Sequence, residues 1–205
     1  MKKILIIRHA ESVGNAGGKI DTHDAIPLSE KGRLQAQVLA ETLDVIPDLI
    51  VLSSFSRTRE TAEPFIAKNP SIPVEIWDVE EFTYLDPRLY NDADQKERQK
   101  IAIDYWRHAD IHHKTGEGVE SFSELIARMK RLVKKLEGRE EKTIAIFSHG
   151  RFIYGLKTYL QKVKERGSVD LSDEDLEELK ELHALTVFNP SQFPIDNTSV
   201  HTIEL

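Results

Sequence analysis

Three short apolar runs that do not alternate with polar residues constrain the fold of this chain more than any other feature. They are Ile4–Ile7 (ILII), Leu49–Leu52 (LIVL) and Thr143–Phe147 (TIAIF). Continuous apolar runs of this kind are typical of strands buried on both faces, and amphipathic helical patterns separate them. We therefore predict a three-layer α/β/α sandwich with a mostly parallel central sheet. The final residues, TSVHTIEL (198–205), are expected to add a further strand.

Serine residues mark the predicted N-termini of the helices. Ser29 precedes an apolar stripe at helical spacing, and a capping box of Ser121 and Glu124 begins the clearest amphipathic helix. A helix from Arg57 to Lys68 is expected to be capped by a serine of the preceding turn, Ser53, Ser54 or Ser56.

Two polar segments fit the sheet pattern less well. Residues 86–120 are rich in charge, and residues 162–183 are strongly acidic, with Ser172 as a candidate helix cap. We interpret them as helical insertions that form a cap over the carboxyl ends of the strands, where open α/β folds bind ligands. Residues 1–205 are then a single domain, a length that suffices for one hydrophobic core.

The composition excludes several classes of function. A net charge of −7 argues against a nucleic-acid-binding protein, which usually presents a basic face. The absence of cysteine excludes a thiolate nucleophile and a cysteine-based zinc site. The first apolar run breaks at Arg8, too early for an export signal, and no run approaches transmembrane length. We expect a soluble cytoplasmic protein without a membrane partner.

Charged and polar residues follow each of the three apolar runs. Arg8 and His9 follow the first, Arg57 begins a predicted helix after the second, and His149 follows the third. Guanidinium groups bind phosphoryl oxygens in bidentate pairs, and an imidazole nitrogen can attack phosphorus in line. The pattern therefore indicates a phosphoryl site at the carboxyl edge of the sheet that requires neither a cofactor nor a metal.

At these residues the chain resembles the histidine phosphatase superfamily, also called the phosphoglycerate mutase-like superfamily. The matching motifs occur in family order over nearly the whole chain: RHAESVGN (8–15), SSFSRTRETA (53–62), VEEFTYL (79–85), GEGVESFSEL (116–125) and FSHGRF (147–152). The resemblance implies a metal-independent phosphatase that hydrolyses a small phosphorylated metabolite through a covalent phosphohistidine.

The resemblance also implies a role for each site residue. His9 would be the nucleophile, and a glutamate of VEEFTYL, either Glu80 or Glu81, would protonate the leaving alkoxide; alignment with the family pattern selects Glu81. Besides these two, the residues that would hold the phosphate and stabilise its developing charge are Arg8, Asn15, Arg57, His149 and Gly150.

Alternative interpretations remain open at this stage. Asn15 beside Gly14 also suits a simple turn, and the adjacent pair His112 and His113 could bind a metal, although neighbouring side chains point apart in extended chain. Ala10 stands where the family usually has glycine, and Leu85 replaces a glycine common after the acid. The second departure weakens the main alternative function, a phosphoglycerate mutase. A non-catalytic phosphate-binding protein is the remaining alternative.

Overall fold

Five strands and six helices occur in a computed structural model that describes residues 2–18, 24–86, 88, 95–189, 191 and 193–205. In chain order they are β1 (Lys3–Arg8), α1 (Glu30–Thr42), β2 (Leu49–Leu52), α2 (Ser56–Lys68), β3 (Val74–Ile76), α3 (Gln95–His108), α4 (Phe122–Glu137), β4 (Thr143–Ser148), α5 (Gly150–Arg166), α6 (Asp173–Phe188) and β5 (Val200–Glu204).

The strands form one sheet in the order β3-β2-β4-β1-β5. The first four run parallel, and β5 pairs antiparallel with β1. The apolar runs of β1, β2 and β4 are buried, and side chains from one face of these strands pack with α1 and α2 residues in a common core. The α/β sandwich with a mostly parallel sheet is thus confirmed, as is the added strand at the end of the chain.

Helix starts follow the predicted serine signals in three of four cases. Ser29 caps α1 through a bond from the Gly32 N–H, and Ser172 forms a capping box on α6. The predicted box of Ser121 and Glu124 on α4 is present, with reciprocal bonds of 2.9 and 3.2 Å. The serine cap of α2 is wrong: Phe55 is the N-cap residue and makes no side-chain capping bond.

The chain divides into two compact units. The first contains Met1–Glu81, Lys135–Ile153 and Ile195–Leu205, and the second contains Phe82–Lys134 and Tyr154–Pro194. The whole sheet with α1 and α2 belongs to the first unit.

The second unit is helical. Aromatic rings of Trp106, Phe122 and Tyr154 surround His183, which is fully buried in this unit. Both predicted insertions contain helices, although residues 87 and 89–94 of the first lie outside the described residues. Their place as a cap in a single domain stays a prediction.

A close backbone approach in the first unit fixes one glycine near the end of β1. Gly32 of α1 packs against the segment after His9, and a Cβ at this position would lie 1.9 Å from the Glu11 carbonyl oxygen. Only a residue without a side chain allows α1 to approach this segment so closely. Glu11 in turn accepts hydrogen bonds from Ser29 and Lys31, so α1 is attached to the loop that follows His9.

Candidate active site

Three neighbouring parallel strands carry the polar residues of the site at one edge of the sheet. Arg8 of β1 is in register with Ser148 of β4, and Leu52 of β2 is in register with Phe147. The residues directly beyond these positions, among them His9 and His149, therefore meet at the carboxyl edge. The ring centroids of His9 and His149 lie 5.1 Å apart.

His9 is held as a neutral imidazole with one defined tautomer. Its side chain is only 3% exposed. Nδ1 lies 2.7 Å from the Ala10 carbonyl oxygen, which can only accept, so Nδ1 carries the proton. Nε2 accepts a hydrogen bond of 3.2 Å from Nε of Arg57. Burial, and after it the charge of Arg57, lower the pKa of His9 to about 3, although the bond to Ala10 acts in the opposite direction. Nε2 thus carries the lone pair that nucleophilic attack requires.

Two arginines supply positive charge beside His9. Arg57 lies in the first turn of α2, is 4% exposed, and stacks over the Phe55 ring at 4.8 Å. Burial lowers the pKa of Arg57 to about 10, with an opposing effect from Glu81, so the guanidinium stays charged at neutral pH. Arg8 donates from Nη1 to the Ile195 carbonyl at 2.6 Å, and burial lowers its pKa as well. A buried guanidinium group with a half-buried one near it is a strong site for a phosphoryl dianion.

His149 is anchored by a serine that follows β2. Its Nε2 lies 2.8 Å from Oγ of Ser53, and Ser53 Oγ also accepts the Phe55 N–H at 3.1 Å. The Phe55 ring packs edge-on against the His149 ring, with centroids 5.1 Å apart. The imidazole of His149 is completely buried. These contacts fix its ring beside His9 before any substrate binds.

The two candidate acids have different surroundings. The Glu81 carboxylate accepts the backbone N–H groups of Arg151 and Phe152, each at 3.1 Å, at the N-terminus of α5. The Glu80 carboxylate instead accepts the Ser54 N–H at 3.0 Å in the turn after β2. The helix dipole and two backbone donors hold Glu81 at the helix that begins beside His149.

The remaining two predicted phosphate ligands lie in different settings. Gly150 is the first residue of α5 and is buried. Asn15 is exposed in the turn after the Arg8 motif, where its Oδ1 accepts the N–H and the hydroxyl of Ser12. The turn role therefore describes Asn15 in this structure, and its contact with phosphate stays a prediction.

Comparison with known proteins agrees with this arrangement. A family model described as the histidine phosphatase superfamily (branch 1) matches residues 4–173. The chain belongs to the histidine phosphatase superfamily. The resemblance inferred from the motifs is therefore confirmed.

Relatives in the superfamily are phosphatases by name. This histidine phosphatase chain is 31% identical over 165 residues to a Schizosaccharomyces pombe protein named as a probable phosphatase, covering 79% of this chain and 75% of that protein. It is 29% identical over 154 residues to adenosylcobalamin/alpha-ribazole phosphatase of Escherichia coli, covering 72% and 73% of the two. The structure of a mycobacterial glucosyl-3-phosphoglycerate phosphatase shares the fold, with a TM-score of 0.70, 23% identity and coverage of 100% and 91%.

Three residues that support the histidine phosphatase site have roles that were not predicted from the sequence. Ser53 binds His149, although its sequence position suggested a helix cap. Thr61 Oγ1 accepts the Ala10 N–H at 2.9 Å, and Nδ2 of Asn197 donates to the His9 carbonyl at 2.9 Å. Ser53 could have been found from its place at the end of a strand. Asn197 could have been found only from the pairing of β5 with β1.

Metal-binding groups and membrane-spanning helices are both absent from the described residues of this histidine phosphatase. Over the residues that the structure describes, no group of three or more histidine or acidic side chains is arranged to hold a metal ion. His112 lies with Nδ1 3.0 Å from the Ser123 hydroxyl, and the His113 ring packs 6.1 Å from Tyr105. No helix within the same described ranges is long and apolar enough to cross a membrane.

Proposed function

We propose that this chain is a metal-independent phosphatase that hydrolyses small phosphomonoesters through a phosphohistidine on His9. The observation that carries the proposal is the state of His9: Nδ1 is tied to the Ala10 carbonyl while Nε2 faces the buried guanidinium of Arg57. A neutral imidazole whose Nε2 lone pair is directed at a cationic, buried group is arranged to attack a phosphorus atom whose oxygens that cation binds.

The first half of the reaction transfers the phosphoryl group to the enzyme. Nε2 of His9 forms a bond to phosphorus as the ester P–O bond breaks in line. Glu81 gives its proton to the departing alkoxide, which becomes the free alcohol. Arg8 and Arg57 bind the equatorial oxygens, and His149 stabilises the charge that develops on them.

The second half releases phosphate by hydrolysis. The Glu81 carboxylate takes a proton from water as the water oxygen attacks the phosphohistidine, and the P–N bond breaks to return neutral His9. The N-terminus of α5 supports this step because the N–H groups of Arg151 and Phe152 hold the carboxylate in place. Inorganic phosphate then leaves, and Glu81 is again protonated for the next cycle.

Ion pairs within the predicted cap segments would favour hydrolysis over the mutase reaction. A mutase must retain a sugar acid and bind its carboxylate with basic groups while water is held off the phosphohistidine. Three basic residues of the insertions already have carboxylate partners: Lys162 bonds to Glu178, Arg166 to Asp175 at 2.7 Å, and Arg88 to Asp86 at 2.5 Å.

The substrate class follows from charge and from the relatives. The net charge of −7 disfavours a nucleic-acid substrate, and the relatives named above include one phosphatase of a small metabolite. We therefore infer a small phosphorylated metabolite as substrate and a cytoplasmic setting for its turnover.

Trapping of the phosphoenzyme tests the mechanism. Protein quenched during turnover of p-nitrophenyl phosphate should carry a phosphate that is labile to acid and stable to base. His9→Ala should lose both this label and turnover while remaining folded. His108→Ala is the matched control, because the His108 side chain is 73% exposed on α3. Turnover by His9→Ala at the rate of the wild type would refute the assignment.

A second measurement separates hydrolase from mutase. The protein is given 3-phosphoglycerate with and without 2,3-bisphosphoglycerate, and released phosphate is compared with 2-phosphoglycerate formed. We expect phosphate release to dominate. Rapid interconversion with little free phosphate would establish the mutase instead.

A further inference from the structure

Thr61 makes two hydrogen bonds that join separate parts of the site. It lies on α2, one turn after Arg57, and is completely buried. Its hydroxyl donates to the Arg57 carbonyl at 2.6 Å and accepts the backbone N–H of Ala10 at 2.9 Å. The first bond is the ordinary back-bond of a helical threonine to the residue four positions earlier. The second reaches a segment 51 residues away in the sequence.

Together with two hydrogen bonds of the His9 ring, these bonds form a closed ring of four residues that includes the nucleophile. Ala10 gives its N–H to Thr61, and its carbonyl accepts the Nδ1 proton of His9 at 2.7 Å. His9 Nε2 then accepts from the Arg57 side chain at 3.2 Å, and the Arg57 carbonyl accepts from Thr61. Each of the four residues therefore donates to or accepts from the next, and all four are at most 4% exposed.

We propose that Thr61 is a positioning residue that sets the tautomer of His9. By binding the N–H of Ala10 it fixes the orientation of the His9–Ala10 segment, so that the Ala10 carbonyl stays within reach of Nδ1. That carbonyl keeps the proton on Nδ1 and leaves Nε2 as the nucleophilic nitrogen. The catalytic part of this inference rests on the proposed phosphatase function, whereas the tautomer does not.

The burial of Ala10 makes the bond to Thr61 necessary. Ala10 is 0% exposed, so its N–H would lose a hydrogen-bond partner without gaining access to water. A buried N–H without a partner is costly, and the segment would rotate to find another acceptor. Such a rotation changes ψ of His9 and φ of Ala10, and this change displaces the Ala10 carbonyl from Nδ1. The proton can then occupy Nε2, where it blocks attack on phosphorus.

The test compares variants that remove or keep the hydroxyl. Thr61→Val replaces the hydroxyl with a methyl group of similar shape, and Thr61→Ser keeps the hydroxyl. Thr42→Val is the matched control, because Thr42 makes the same helical back-bond, to Val38 at 2.9 Å, on the exposed side of α1. Nitrogen-15 NMR of the histidine rings in substrate-free protein reads the tautomer directly, with the His9 signals assigned from their loss in His9→Ala.

His9 should be protonated on Nδ1 in the wild type, in Thr61→Ser and in Thr42→Val. Thr61→Val should show a mixture of the two tautomers, with kcat lowered roughly tenfold to hundredfold and KM little changed. An unchanged tautomer in Thr61→Val would overturn the proposal. If that variant does not fold, hydrogen exchange in the wild type decides: the Ala10 amide should be strongly protected, and rapid exchange would overturn the proposal.

These outcomes are distinct from failure of the proposed function. If His9→Ala keeps its turnover, the phosphatase mechanism is wrong, but the ring spectra still report whether Thr61 sets the tautomer. If the spectra change as expected while kcat does not, the positioning role in catalysis is wrong although the structural coupling is present.

Discussion

The stability of the protein should depend on pH through His9, and substitution of this residue should remove that dependence. The folded protein holds the pKa of His9 at about 3, first because the ring is buried and second because Arg57 is close. In the unfolded chain an ordinary histidine has a pKa of about 6.5. The unfolded state therefore binds a proton more readily than the folded state throughout the interval between these values.

The sign and size of the effect follow from that difference. The contribution of neutral, buried His9 to the free energy of unfolding is fully present above about pH 6.5. It is lost as the pH falls toward about 3. Each pH unit within the interval costs up to about 1.4 kcal/mol, so the loss is about 2 kcal/mol between pH 7 and pH 5. His9→Ala also removes packing, but that cost does not depend on pH.

Urea denaturation at several pH values, in buffers without phosphate or other oxyanions, measures the effect. Between pH 7 and pH 5 the free energy of unfolding of the wild type should fall by about 2 kcal/mol more than that of His9→Ala. The same comparison with His108→Ala is the control for loss of a histidine whose side chain is exposed in the folded protein. Parallel curves for wild type and His9→Ala would refute the reasoning that His9 is held neutral.

Three further predictions concern the acids, the packing of α1 and metal dependence. Glu81→Gln should lower the rate most for alkyl phosphates, whose leaving groups need a proton, whereas Glu80→Gln should have a mild effect; a reversed pattern would assign the acid to Glu80. Gly32→Ala should lower the free energy of unfolding by roughly 1–3 kcal/mol despite the higher helix propensity of alanine, because its Cβ would meet the Glu11 carbonyl at 1.9 Å; unchanged stability in urea would contradict this. EDTA should leave phosphatase activity unchanged, and activity that is lost and then restored by zinc or magnesium would show a metal requirement.

The sequence predicts the fold well where a signal is local. Buried strands appear as unbroken apolar runs, and serine caps at Ser29, Ser121 and Ser172 mark three helix starts. The prediction of a serine cap on α2 was wrong. The Ser53 hydroxyl accepts the Phe55 N–H and contacts His149 in the candidate site, so it does not cap the helix. A serine before a helix has the same sequence signature in either role.

The site is predictable only in part for a similar reason. The convergence of Arg8, His9 and His149 follows from the rule that parallel strands end at one edge of the sheet. The contacts of Thr61 and Asn197 join residues 51 and 188 positions apart. Such bonds depend on the packing of α2 and on the strand order, which no local pattern contains.

The position of β1 inside the sheet has a consequence for synthesis of the protein. β1 lies between β4 and β5, whose pairing with it begins at Thr143 and Val200. A ribosome therefore makes the strand that ends beside His9 long before either neighbouring strand exists. Until then the apolar residues of β1 have no neighbouring strand to pair with. An unpaired apolar strand is prone to aggregation. We expect a nascent chain that ends before Thr143 to need chaperone protection, and His9 to acquire its setting only when β4 closes against β1.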